Sequence, residues 1–453
     1  MSAENTGTTS GTTPTDGDVH PVDARPTPLR LWAFGAQHVA VMYTGCVAVP
    51  LVFGAAVGLD TATIGLLIAA DLLVAGFITI VQSLGLSRLF GARLPVVAGA
   101  SFTAVTPMIA IQGEYGMPAV YGAMLAAGVF GMLVAWPFAR LVRFFPPVVR
   151  GTAVTIIGLS LVGKAIGLIA GDDPDDPDYA APDKLALAAG VIVLIVVLTR
   201  FARGFLAQTV VLVGLLAGTG AAVFLGMTDF GSVAGAGWFG LPEPFPFGAP
   251  EFPLAAVASM CVVMLVIFAE STAYLMAVGD MTGRPVSRAD LARGLAADGL
   301  SGAVAGAATS FPDTVFAQNV SLVRMTGVRS RFTTAAAGVL LVTLGLMPKL
   351  AETVASLPGP VIGAVSLVMF TMVTITGIRT LGAVEYDGTH NGLIVALALG
   401  TGMIPVVAPT LYDGFPSWFR IIAGGAISSA VIVAFVLNLF FHHLTAPRTK
   451  ERV

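Results

Sequence analysis

The sequence predicts an all-α polytopic membrane protein of fourteen transmembrane segments, and three observations carry that reading. Of the 453 residues, 56% are hydrophobic and only 11% are charged, against about a quarter charged in soluble domains. Apolar stretches able to cross about 30 Å of hydrocarbon as helices of roughly 20 residues recur from Leu31 almost to the C-terminus. Basic residues collect on alternate loops, as the positive-inside rule requires.

In chain order the spans fall near 31–53, 62–82, 94–111, 117–138, 147–169, 185–202, 207–226, 254–278, 293–308, 309–326, 332–347, 358–378, 391–409 and 420–442. Residues 1–30 are rich in Thr, Gly, Asp and Pro and lack an apolar h-region, so they read as a disordered tail. With that tail in the cytoplasm, 19 of the 23 basic residues fall on the cytoplasmic side, among them Arg143, Arg150, Arg284, Arg293 and Arg331. Lys164, Lys184, Lys349 and Arg420 fall on the other side, together with the acidic loop Gly171–Lys184. An even number of spans returns the C-terminal tail, 443–453, to the cytoplasm. Cys46 and Cys261 lie in apolar runs, where small thiols pack. No disulfide framework, metal-ligand cluster, phosphate loop or nucleophile–base pair is found, so neither an enzyme nor a nucleic-acid binder is expected.

Four carboxylates remain at or near membrane depth: Asp71, Glu270, Asp298 and Asp313. Each costs at least about 2.5 kcal/mol at the bilayer centre and therefore needs a reason. Glu270 follows nine almost wholly apolar residues, which fits either a carboxylate paired for packing or a substrate or proton site facing a cavity. Tyr274 shares its helix face. Asp298 reads equally as a loop-end cap near Arg293 or as a buried partner of the site. Asp71 reads as a structural hydrogen-bonding group. Asp313 is given no role, with the outer cavity as its only suggested location. His38 is either a satisfied core histidine or, with Gln37, part of a small polar cluster.

Two interrupted segments resemble each other. "AGASFTAVTPM" (Ala98 to Met108) and "AATSFPDTVFA" (Ala307 to Ala317) each carry small residues, then Ser-Phe, then Thr and Pro. They are the third and tenth segments, seven spans apart, and matching broken segments point to a transporter of two inverted repeats with its site at the midplane. Pro312 cannot continue a helix and biases Phe311 toward extended backbone, so short strands are expected in both segments. A helix starting near Phe316 presents free N–H groups and its positive dipole end to the cavity. Gln318 and Asn319, in its first turn, add amides that donate and accept. Facing Glu270, they make a site for a neutral, planar, amide-like ligand.

At these residues the sequence resembles the nucleobase-ascorbate transporter family. Its signature reads Gln, Glu or Pro, then Asn-x-Gly-x-x-x-x-Thr and Arg, Lys or Gly. Here it stands as "QNVSLVRMTG", with Gln318, Asn319, Thr326 and Gly327 matching and Ser321 in place of the glycine. Gln37-His38, Glu270 and "ADGL" (Ala297 to Leu300) match further family positions, and the likeness runs from about residue 31 to 442.

The resemblance implies a core domain, residues 31–138 and 254–347, that moves against a gate domain, residues 147–226 and 358–442, commonly within a homodimer of the inner (plasma) membrane. By resemblance, Glu270 and Gln318 bond the base and backbone near Ser101, Phe102 and Thr103 closes the pocket. Asn319, His38 and Asp298 support binding or proton coupling. Tyr274 departs from the Asp or His that many relatives carry there. Gln at 318 favours xanthine or urate, whereas uracil permeases of the family carry Glu. A proton-coupled purine importer is therefore expected, with the proton as coupling ion and no cofactor. A uracil or broad nucleobase permease is the alternative; a sulfate-type anion exchanger of similar architecture would favour a cationic site over a buried Glu.

Overall fold

Proline opens helices in this chain and glycine closes several of them. Pro28, Pro147 and Pro182 sit in the first turn of their helices, where the missing N–H has no partner to lose. Gly283 and Gly327 end theirs at φ of +74° and +66°, a backbone that side chains resist.

The computed structural model describes residues 19–141, 145–171, 175–228 and 230–444. Most of both expected tails (1–18 and 445–453), Arg143 and residues 172–174 of the acidic loop lie outside the described residues. Helices α1 (Pro28–Ala56) and α2 (Thr61–Leu84) lead to a strand β1 (Ala98–Ala100), a 3-10 turn at Phe102–Ala104 and α3 (Val105–Tyr115). There follow α4 (Met117–Leu141), α5 (Pro147–Ala170), α6 (Pro182–Phe201), the one-turn α7 (Phe205–Gln208) and α8 (Val210–Phe224). Next come α9 (Leu254–Thr282), α10 (Arg288–Ala308), a second strand β2 (Asp313–Val315) and α11 (Ala317–Thr326). The chain closes with α12 (Arg331–Gly345), α13 (Pro348–Ala355), α14 (Gly359–Leu381), α15 (Asn391–Val407), α16 (Ser417–Ala423) and α17 (Ala426–Leu439). Among the described residues, eight helices are each long and apolar enough to cross a bilayer, and α12 with α13 makes a ninth, bent by 80°.

The tail expected over residues 1–30 ends earlier than the composition suggested. Val22 is fully buried, and Asp23 meets Arg284 at 3.2 Å and Arg331 at 2.6 Å, so two arginines hold this polar stretch in place. At the start of α2, the Asp60 carboxylate accepts from the Thr63 amide at 2.9 Å and its hydroxyl at 2.8 Å, which holds it below the usual carboxylate range.

The two strands pair antiparallel, Ala98 opposite Val315 and Ala100 opposite Asp313. The Ser101 amide extends the ladder to the Pro312 carbonyl and the Phe316 amide to the Val97 carbonyl, both at 2.9 Å. A two-stranded sheet has two open edges, and at membrane depth no water is there to satisfy them. Hydroxyl side chains do so instead. On the β1 side, Thr79 of α2 accepts from the Ala98 amide at 3.0 Å and donates to its carbonyl at 3.2 Å. On the β2 side, the Ser301 hydroxyl accepts from the Asp313 amide at 2.8 Å and that of Ser271 from the Val315 amide at 3.3 Å.

Around this pair the longest helix contacts are α5 on α14, α4 on α10 and α2 on α12, and each is a seam of small residues that lets backbones touch. A Cβ on Gly128 would lie 2.0 Å from the Ala303 amide nitrogen, and one on Gly299 2.5 Å from that of Met132. In the second seam Gly76 and Gly338 oppose each other, each within 2.7 Å of the other's carbonyl oxygen by the same measure. We expect Gly128→Ala to force α4 from α10 at a cost of about 1–3 kcal/mol, lowering the melting temperature of the detergent-purified protein. Gly190→Ala on α6, where an added Cβ has nothing within 4 Å, should leave it unchanged.

Candidate functional site

The strand pair fixes where two helices begin. Because β1 and β2 run antiparallel, α3 and α11 start at opposite ends of the ladder, each with its amino end toward it. Both therefore direct unpaired N–H groups and a positive dipole end toward the middle of the molecule.

Ser101, Phe102 and Thr103 form the turn between β1 and α3, and all three are buried. The Ser101 hydroxyl accepts from the Thr103 amide at 3.3 Å, which fixes the turn. Thr103 turns its own hydroxyl to the Glu270 carboxylate, while the Phe102 ring meets Phe370 of α14 edge-on at 5.3 Å. Glu270, in mid-α9, is half-buried and lines a cleft with Ala269, Phe145, Val149, Arg150 and Val431. The free volume of the cleft is about 10 Å³, room for one water, so a bicyclic ligand needs the flanking helices to part. Tyr274 lies one turn along α9 beside Glu270 and packs against the Phe138–Phe268 cluster.

Phe316 caps α11, close to the helix start the sequence predicted, which leaves Gln318 half-buried in the first turn. Its neighbour Asn319 is buried: its amide nitrogen donates to the Nδ1 and the carbonyl oxygen of His38, both at 3.0 Å, while its Oδ1 has no partner. Asn319 thus anchors α11 to α1, and His38 belongs to that anchor. Gln37 is half-buried and takes no part in these bonds.

Of the two readings offered above for Asp298, the loop-end cap does not hold, since the residue lies in mid-α10. It is fully buried, and its Oδ1 accepts from the Gln82 side chain at 3.0 Å. Gln82 also donates to the Gly294 carbonyl at 2.9 Å and accepts from the Ala92 amide at 3.2 Å. Arg293, the suggested cap partner, pairs with Asp290 instead. Ser271, next to Glu270 in sequence, sits close to Asp298 and shares a 3.1 Å hydroxyl contact with Thr314 of β2. Asp313, offered a place in an outer cavity, is wholly buried on β2, and Cys46 does more than pack, since its thiol donates to Asp71 at 2.8 Å.

Three residues were missed. Gln82 and Ser271 are single polar residues in apolar helices, and only the fold reveals what they touch. Arg150 was counted as a loop cation, although it stands in the first turn of α5 after Pro147, and its buried Nε has no partner beside the Glu270 cleft. Among the described residues no group of three or more His, Cys, Asp or Glu could hold a metal ion.

A profile described as a permease family matches residues 29–411. The chain is 40% identical to the uric acid permease PucJ of Bacillus subtilis over 93% of this chain and 96% of that one. It is 38% identical to the uric acid transporter UacT of Escherichia coli (95% and 90% covered), and 28% identical to the uracil permease of Bacillus subtilis (94% of each covered). Among solved structures it is similar to the transmembrane domain of the cyanobacterial bicarbonate transporter BicA, with a TM-score of 0.58, 14% identity, and 92% of this chain and 98% of that one covered. The murine anion transporter Slc26a9 gives a TM-score of 0.62 at 13% identity, covering 92% of this chain and 69% of that one.

Gln82→Leu removes three bonds at once and leaves Asp298 short of its donor. We expect a loss of about 2 kcal/mol or more, read as a lower melting temperature of the purified protein.

Proposed function

We propose that this chain, which belongs to the nucleobase-ascorbate transporter family, imports a purine base, xanthine or urate, coupled to protons. The observation that carries this reading is the half-buried Glu270 against Thr103, in a cleft lined by residues of α5, α9 and α17. A carboxylate there accepts from ring N–H groups, and the Gln318 amide pairs in both directions with a carbonyl and a neighbouring N–H. The identities support a purine, being 38–41% toward the uric acid permeases and transporter and 39% toward the xanthine permease of Bacillus subtilis.

The packing supports alternating access. Numbered as fourteen segments, with each strand and its following helix as one segment, helix partners recur in twins seven segments apart. α4 with α10 repeats as α12 with α2, α1 with α12 as α9 with α4, and α6 with α14 as α15 with α5. This supports two inverted repeats. A core of α1–α4 and α9–α12 with both strands then moves against a gate of α5, α6, α8, α14, α15 and α17. Glu114 of α3 meets Arg420 of α16 at 2.5 Å, a contact that holds core to gate at the outer face. The Glu270 cleft is bounded by Phe145 and Arg150 at the arginine-rich, cytoplasmic end. The protein lies in the plasma membrane with both termini inside. Exposed Val193, Val196 and Leu216 on gate helices are covered by lipid or by a second copy in a homodimer.

Radiolabelled xanthine or urate should accumulate in cells expressing the protein, and a protonophore should abolish accumulation. Uptake of uracil without either purine would sink the assignment. We expect Glu270→Gln to cut uptake at least about tenfold, the scale of a lost charged hydrogen bond, with membrane insertion intact, and Gln318→Glu to raise uracil uptake relative to xanthine.

A further inference from the structure

Two acidic residues take no part in that site. Asp71 of α2 and Asp313 of β2 are both fully buried, and Asp71 reaches Ser310, three residues before Asp313 on the same broken segment. Asp71 accepts from the Cys46 thiol of α1 at 2.8 Å and from the Ser310 hydroxyl at 3.3 Å. Asp313 accepts from the Ser301 hydroxyl of α10 at 2.7 Å through Oδ2, while its Oδ1 is buried with no partner.

The remaining titratable groups near the pair are Tyr121 of α4, whose buried hydroxyl is also unpartnered, and Asp298 of α10. Among the described residues neither aspartate joins an ion pair with Lys, Arg or His. Two negative charges in a low-dielectric interior without a cation are far more costly than one. A single anion here is well served, because each carboxylate has its own donors. What the second carboxyl lacks is a hydrogen, and the Oδ1 of Asp313, buried with no partner, is an oxygen free to carry one.

We propose that Asp71 and Asp313 form a second proton-binding site, separate from Glu270, in which the pair holds one proton taken from solvent. β2 links this proton to the substrate site: Asp313 sits opposite Ala100, one residue before Ser101, and β2 runs directly into Phe316 and Gln318. Loss of the proton sets two anions against each other across α2 and β2 and loosens the strand pair that positions both helix starts.

The test is the pH dependence of melting of the full-length purified protein from about pH 6 to about pH 9, with protons as the only ligand. A proton held in the folded state and absent from the unfolded state weakens folding as pH rises, about tenfold in the folding equilibrium per pH unit. Asp71→Asn and Asp313→Asn should each remove one proton's share of that slope, and the double variant should remove no more than either alone. An unchanged slope in both single variants overturns the proposal. Two separate reductions that add in the double variant make these independent groups and overturn it equally. If one variant fails to fold, the other carries the same expectation against wild type. Melting does not require transport, so this outcome is independent of the purine reading; in cells, the variants should also flatten the alkaline decline of uptake.

Discussion

Backbone groups at membrane depth must find partners inside the protein, and the antiparallel contact between β1 and β2 is where this chain meets that demand away from a helix. Breaking two helices at the midplane frees amides and carbonyls that a continuous helix would have bonded. Each broken segment supplies the other, and hydroxyls from α2, α9 and α10 close the outer edges. The arrangement holds only while those helices stay in register with the strands. The small-residue seams between α4 and α10 and between α2 and α12 keep them there.

From that contact follows the chemistry around it. Two helices begin beside the ladder, so their free N–H groups and dipoles gather in the interior of the molecule. Carboxylates are drawn to the same region and sorted by surroundings. Glu270 reaches a cleft and Thr103, Asp298 is tied to Gln82 and the β2 side, and Asp71 and Asp313 are sealed off entirely. Four similar groups thus occupy three kinds of position, reachable, supporting and closed.

Much of this was legible in the residues. Pro312 and the repeated Ser-Phe forecast both breaks, and the helix start lies within one residue of Phe316. Glu270 stood out because charge is costly in hydrocarbon. What stayed hidden depends on approach between distant segments. Gln82 and Gly294 are 212 residues apart, and no local pattern says that an amide on one meets a carbonyl on the other. That Asn319 would reach His38 was equally hidden: one step along a helix turns a side chain by about 100°, and its amide nitrogen meets a residue 281 positions away. The place of Arg150 beside the cleft stayed hidden because the charge rule counts cations and takes no account of whether one begins a helix.

The tie at Asp23 has a mechanical consequence. Its two carboxylate oxygens go to different arginines, Arg284 before α10 and Arg331 at the start of α12. A clasp with two arms releases in stages, since the arm that remains keeps the freed one at high local concentration. Force applied through anything joined upstream is therefore borne first by this clasp and by buried Val22, and reaches the helix that carries His38 only after both arms have let go.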